Sequence, residues 1–271
     1  MMSNRTSECI NSLVKTKRFV VKVGTSSITD EASRLDVGKV AILVSMLMKE
    51  IKNGRAPLLV SSGAIGAGLG RLGLSRPDEI QELQAAAAVG QGILMQTYEF
   101  FFNNYEQPIA QLLLTGDDFT DDERNRNLSN TLETLINWGV IPIINENDTV
   151  ATQEIKVGDN DTIASYVTMA VDADILVILT DVDGLYTSNP SESKGEFVKT
   201  VREVTPEVEG WASKAGKGFG GMYTKVQAAK RLAKEGKATV IASSNVPDAL
   251  SKVFTGEIGT LFLPRGDEMN E

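Results

Sequence analysis

Apolar residues arrive along this chain in two rhythms. Short, nearly unbroken runs occupy residues 19–23 (FVVKV), 58–60, 109–114, 140–144 and 174–180 (DILVILT). Runs of this length without polar alternation predict strands buried on both faces. Between them, apolar positions recur at helical spacing over 35–51, 80–105, 124–138 and 163–171, and Asn53-Gly54 supplies a stop for the first of these. Strands alternating with helices predict an α/β fold, a three-layer α/β/α sandwich with a mainly parallel central sheet. Beyond Asp181 the texture changes. Loops lengthen, Gly216, Gly218, Gly220 and Gly221 cluster, a helix runs from about Met222 to Gly236, and strands follow at 238–242 and 259–263. The expectation is one domain over 1–271 with two lobes meeting near residue 180, about 18–180 and about 181–265, and no internal repeat.

The polar positions concentrate in one place. The run at 140–144 delivers the chain to NENDTVATQEIKVGDND, residues 145–161, where Glu146, Asp148, Glu154, Asp159 and Asp161 stand among Asn145, Asn147 and Asn160 with Lys156 the one base. Asn and Asp favour turns and helix caps, so each residue alone could serve a turn, and 158–161 could cap the helix that follows. A turn needs far fewer such residues. The cluster as a whole reads as a binding surface at the carboxyl edge of a sheet, and 149–157 within it reads as a hairpin.

Composition narrows the chemistry. The 271 residues contain no histidine and one cysteine, Cys9, in a polar N-terminal segment. Triads built on imidazole, histidine metal sites, cysteine zinc sites and internal disulfides are therefore excluded. Carboxylates, lysines, backbone amides and a bound metal remain, a set suited to phosphoryl transfer. A formal net charge of -9 argues against a nucleic-acid surface. The N-terminus lacks the pattern of a secretory signal, and the longest aliphatic run, 175–179, is far too short for a membrane span. The expected setting is cytoplasmic, with no membrane partner.

Three stretches could meet phosphate. Lys22 sits inside an apolar strand just before Gly24-Thr25-Ser26-Ser27. It either snorkels to water or meets an anion that the turn's N–H groups and hydroxyls also hold. Residues 61–70 (SSGAIGAGLG) form a glycine-rich exit from a strand into a helix, a favourable anion site. The formal G-x-G-x-x-G over Gly68 to Gly73 begins too far from its strand to be a dinucleotide fingerprint. Residues 214–225 (KAGKGFGGMYTK) place Lys217 and Lys225 around four glycines ahead of a helix, either as a plain surface loop or as a phosphate cradle. Lys22 and Lys225 could bracket a transferring phosphoryl group, with Asp161 holding the lysines or a Mg²⁺ in register. The other acids suit a substrate ammonium. No Walker or protein-kinase loop occurs.

Taken in order, VVKVGTSS, LLVSSGAIGAGLGRLG, AAAAVGQ, IPIINENDTVATQEIKVGDND, LTDVDGLYTSNP and GGMYTK resemble the glutamate 5-kinase branch of the amino acid kinase family, over roughly residues 18–263. The resemblance implies ATP-dependent phosphorylation of the γ-carboxylate of L-glutamate, the first step of proline biosynthesis. By the family pattern Lys22 and Lys225 stabilise the phosphoryl group and Asp161 organises them. Ser62, Asp148 and Asn160 would bind glutamate, with Asn145 and the Gly63-Ala64 backbone nearby and Asp148 on the α-ammonium. ATP would lie against Lys22, Gly24, Thr180, Asp181 and the loop Phe219, Gly220, Gly221, Met222, Tyr223, Thr224 and Lys225, with Mg²⁺ carried on its phosphates. The resemblance also implies a homo-oligomer, a dimer or tetramer, with proline as feedback inhibitor, and a control region in the acidic loop 116–123. The chain departs from many relatives in two ways. It stops before their C-terminal PUA-type domain, and it has Phe219 and Tyr223 where they have Thr and Ser. Rival readings are a sister kinase acting on aspartate or acetylglutamate, a non-catalytic amino acid sensor, and a nicotinamide oxidoreductase.

Overall fold

An apolar run without alternation is stable only when both faces of its strand are covered, and helices on both sides of one sheet meet that condition here. The computed structural model describes residues 4–150, 160–188, 195–214 and 221–265. In chain order the elements are α1 (Asn4–Val14), β1 (Arg18–Val23), a 3-10 turn (Thr25–Ser27), α2 (Val37–Lys52), β2 (Ala56–Ser61), α3 (Ala64–Leu72), α4 (Ile80–Asn103), β3 (Ile109–Leu114), α5 (Asp117–Thr120), α6 (Asp122–Asn137), β4 (Ile141–Glu146), α7 (Asn160–Ala170), β5 (Ile175–Thr180), β6 (Thr200–Val201), α8 (Pro206–Lys214), α9 (Met222–Lys234), β7 (Ala238–Ser243), α10 (Ala249–Phe254) and β8 (Thr260–Phe262). The strands form one sheet in the order β3-β4-β2-β1-β5-β7-β8-β6. Neighbours are parallel throughout, except for the antiparallel pair β7 and β8.

Strand alternation divides the core into two layers. Phe19 and Val21 of β1, Leu59 of β2, Val177 of β5 and Val240 of β7 face one way, against Leu47 of α2, Tyr98 and Phe102 of α4, and Phe254 of α10. Val20, Leu58, Ile178 and Ile241 face the other way, against Leu132 of α6, Ile163 and Val167 of α7, and Val226 and Leu232 of α9. The expected three-layer sandwich with a mainly parallel sheet is what forms. The boundary near residue 180 falls at the end of β5, and the sheet's hydrogen bonds continue across it from β1 through β5 to β7.

Helix starts follow their caps. Asp36 accepts from the N–H groups of Gly38 and Lys39, so α2 begins after Leu35, which instead bridges to Thr29. Asp121 accepts from Glu123 and Arg124, so α6 begins before the expected 124. Three helices lack a clear sequence signal. In α1, Ile10 and Cys9 pack against the first core layer, so the polar N-terminal segment that holds the lone cysteine is a helix. The short α8 and α10 occupy the region read as loops. Of the three phenylalanines at 100–102, Phe102 is buried, Phe101 half-buried and Phe100 exposed. The expected hairpin at 149–157 lies almost wholly outside the described residues. Among the described residues, no helix is long and apolar enough to cross a membrane.

One helix crossing sets the approach to the carboxyl edge of the sheet. A Cβ on Gly68 of α3 would lie 1.8 Å from the Ala86 carbonyl oxygen, and one on Gly90 of α4 would lie 1.8 Å from that of Ala64. The two backbones therefore touch, and part of the formal glycine fingerprint serves helix packing. Tyr98 adds a buried hydroxyl contact from α4 to Ser61 at the end of β2, at 2.8 Å. Gly90→Ala forces backbone from backbone and is expected to cost on the order of 3 kcal/mol. Gly92 lies on the same helix, and a Cβ there would meet no atom within 4 Å. Gly92→Ala should therefore gain about 0.5–1 kcal/mol. Urea unfolding of the two variants reads the contrast.

Candidate active site

Parallel strands direct their carboxyl ends to one edge, where ligands of open α/β sheets collect. Lys22 is the next-to-last residue of β1, the strand flanked by β2 and β5, and points to the same face as Val20. There it meets Asp161 in the first turn of α7, with Nζ 2.7 Å from Oδ1. Lys225, in the first turn of α9, places its Nζ 3.1 Å from Oδ2 of the same carboxylate. The Thr224 hydroxyl donates to Oδ2 at 2.8 Å. Lys22, Asp161 and Lys225 are 3%, 0% and 4% exposed, so three residues distant in the chain converge where water scarcely reaches. The snorkelling alternative for Lys22 is thereby set aside.

The electrostatics of this trio are uneven. Burial by itself would raise the Asp161 pKa, but the ammonium groups of Lys22 and Lys225 outweigh it and hold the carboxyl below the usual range. A carboxylate also suits a helix N-terminus, whereas the dipole of α9 disfavours a lysine in its first turn. Two ammonium groups against one carboxylate leave the trio one positive charge in excess.

Lys22 and Lys225 line a cleft of about 1080 Å³, and the carboxylate they share is fully buried. On one side, beyond β2 and β4, lie Ser62, Gly63, Ala64, Asn145, Asp148 and Asn160; on the other, beyond β5, lie Thr180 and Asp181, with Gly24 and Gly221 also on the wall. Gly63 turns the chain from β2 into α3 at φ +98°, where a Cβ would press to 2.7 Å from Ile28 Cδ1. Asn160 Nδ2 donates to Ser62 Oγ at 3.1 Å and to Asn145 Oδ1 at 3.0 Å. Asn145 Nδ2 donates to Gln91 Oε1 at 2.8 Å. The Thr180 hydroxyl donates to Asp181 at 3.0 Å.

Of the remaining expected residues, Met222 is buried in the second core layer, so only its backbone is available to a ligand. Tyr223 is largely exposed, and Thr224 is engaged with Asp161. Phe219 and Gly220 lie outside the described residues, as do Glu154, Lys156 and Asp159. Sequence reasoning misses Arg34 and Arg76 on the cleft wall and Gln91 behind Asn145. Nothing in their spacing marks the arginines. Gln91 ends the motif AAAAVGQ that carries part of the family resemblance, but its place behind Asn145 is visible only in the fold. Among the described residues, no group of three acids, histidines or cysteines is gathered as a metal cage.

Asp148 is half-buried, and burial pushes its carboxyl up to about 6. A folded pKa above the unfolded one means that stability is fully present below about pH 3.8 and is lost as pH rises through about 6. An asparagine in its place would remain neutral throughout. Asp148→Asn is therefore expected to raise the melting temperature at pH 7.5, with the gain shrinking across that window and vanishing below about pH 4. Differential scanning calorimetry across pH measures it.

Residues 17–243 match the sequence profile of the "Amino acid kinase family". A glutamate 5-kinase of Moorella thermoacetica is 49% identical over 263 residues, covering 95% of this chain and 70% of that protein. A glutamate 5-kinase of Symbiobacterium thermophilum is 46% identical, covering 92% of this chain and 97% of its own length. Among solved structures, carbamate kinase from Giardia lamblia bound to AMP-PNP superposes with a TM-score of 0.64 over 92% of this chain and 99% of that one. At 18% identity that likeness speaks for the fold alone. A shared fold, a cleft at the carboxyl edge of the sheet and near-half identity over almost the whole chain lead to one conclusion: this chain belongs to the amino acid kinase family and groups within it with the glutamate 5-kinases.

Proposed function

We propose that the cleft transfers the terminal phosphoryl group of ATP to the γ-carboxylate of L-glutamate, the first step of proline biosynthesis. The observation that carries this reading is the buried Lys22–Asp161–Lys225 trio, two ammonium groups brought together on one carboxylate between two differently lined halves of one cleft. A carboxylate attacking a phosphate brings two anions together, and the barrier falls when fixed cations neutralise the charge that gathers between them. Lys22 and Lys225 supply those cations. Asp161 is their organiser: it stays ionised and holds both ammonium groups on one migrating group.

Sheet order supports a division of the cleft into two halves. The acceptor takes the side of β2 and β4, where the N–H groups of Gly63 and Ala64 at the start of α3 suit a carboxylate and Asp148 suits the α-ammonium. Ser62, Asn145 and Asn160 complete that wall. The nucleotide takes the side of β5, along Gly24, Thr180, Asp181, Gly221 and Lys225. The donors present fit a Mg²⁺ that would arrive on the phosphates, and the Asp181 carboxylate on the cleft wall would help to hold it. Bound there, the ion supplies charge neutralisation to the phosphates. Proline, which the family resemblance brings in as inhibitor, is assigned to the acceptor half. The exposed Phe100 and Val89 on α4 support assembly of copies through that helix.

Lys22→Ala and Lys225→Ala are each expected to lower kcat by about 10²–10³, the loss typical of removing one transition-state donor. A coupled assay of ADP release across glutamate, aspartate and acetylglutamate should show turnover with glutamate well above the others; equal or greater rates with another acceptor would overturn the reading. Glutamate binding should also weaken below about pH 6, as Asp148 takes up its proton and ceases to attract the ammonium group. Isothermal calorimetry against pH measures that loss.

A further inference from the structure

One backbone N–H fixes the sense of a chain of four polar side chains behind the acceptor wall. The Glu146 N–H donates to Asn145 Oδ1 at 2.9 Å and to Asn160 Oδ1 at 3.2 Å. A backbone amide can only donate, so Asn145 must turn its oxygen toward Glu146 and its Nδ2 the other way. That Nδ2 points at Gln91, which must therefore present Oε1, 2.8 Å away. Asn145 Oδ1 also receives Asn160 Nδ2, so Asn160 must present its amino group there. The second hydrogen of that group goes to Ser62 Oγ at 3.1 Å. With both amide hydrogens of Asn160 committed, the Ser62 oxygen is an acceptor within the wall, which leaves its own proton for donation to a ligand.

We infer that Gln91 is a positioning residue for the acceptor: by accepting from Asn145 it holds in place the relay Gln91–Asn145–Asn160–Ser62, whose sense the Glu146 N–H sets and in which Ser62 serves as a hydroxyl donor to a substrate carboxylate. The inference rests on the glutamate reading for the identity of that carboxylate, but the relay itself does not. Gln91 is well placed for such a task. It follows Gly90, whose missing Cβ lets α4 touch α3, and it lies two turns before Tyr98, which anchors the helix to β2. It is set by packed backbone rather than by a loop. The same geometry limits Asn160. Only its Oδ1 lone pair remains for the substrate, which suits an ammonium group and excludes donation to a carboxylate.

Three substitutions separate the outcomes. Gln91→Leu removes the acceptor, Gln91→Glu keeps one, and Gln91→Lys offers only a donor opposite Asn145. In the first and third, the KM for glutamate should rise about tenfold or more, with the KM for ATP unchanged and the melting temperature close to that of the parent. Gln91→Glu should restore the glutamate KM to within about threefold of the parent, an outcome that general loosening of α4 would not give. An equal rise in all three variants, or a rise in the ATP KM alongside, overturns the inference. Side-chain amide resonances of Asn145 and Asn160, observed by NMR without substrate, read the relay directly. They should shift in Gln91→Leu and stay in place in Gln91→Glu. Unchanged resonances in Gln91→Leu would end the proposal whatever the substrate is. Correct shifts in a protein that does not phosphorylate glutamate would uphold the relay and refute the glutamate reading instead.

Discussion

A single carboxylate shared by two ammonium groups constrains most of this molecule. Removing an ion from water costs several kcal/mol even after relaxation, so Asp161 can be fully buried only if its partners arrive with good geometry. Lys22 comes from the sheet, Asp161 from one helix on its face, and Lys225 from the neighbouring helix. The pairing of α7 with α9 is reinforced well away from the cleft. Arg231 donates to Ser165 at 2.7 Å and lies over the ring of Tyr166, which stacks on Phe119. The segments before and after residue 180 are thus joined by sheet hydrogen bonds, by packed helices and by the shared charge.

How much of this is legible in the sequence depends on whether the signal is local. Strands buried on both faces announce themselves as apolar runs, and the five read from such runs fall within two residues of their observed ends. Lys22 stands out because a lysine inside such a run is costly, and the acids and amides after β4 stand out because a plain turn does not need so many. The α1 helix does not, since an exposed polar face hides the few residues, Ile10 and Leu13 among them, that it buries. Nor do α8 and α10, whose few apolar positions cannot establish a period. Residue-level roles in the glycine-rich stretch are the hardest to read. Gly221 lies on the cleft wall while the side chain of the next residue, Met222, belongs to the core, and sequence alone does not divide neighbours in that way.

Glycine shows the same lesson from another side. A glycine-rich stretch in an α/β sequence invites a ligand, and Gly63 does lie on the cleft wall. Gly68, five residues later, is required by a carbonyl oxygen of the facing helix. Both are demanded by close approach of other atoms. Only the partner differs, and that partner is tertiary information. The polar relay behind Ser62 is likewise invisible in sequence, because its order follows from one main-chain donor at Glu146.

The place of β1 in the sheet bears on how the chain comes into being. Phe19 pairs with Pro57 on one side but must wait for Ile175 on the other. Domains of this kind are assembled as they leave the ribosome, N-terminal parts first. For most of translation the innermost strand therefore keeps one raw, greasy margin, and sequence-distant pairing of this sort is slow to close. The cleft is likewise incomplete until the residues after β5 have emerged and brought Lys225 to Asp161.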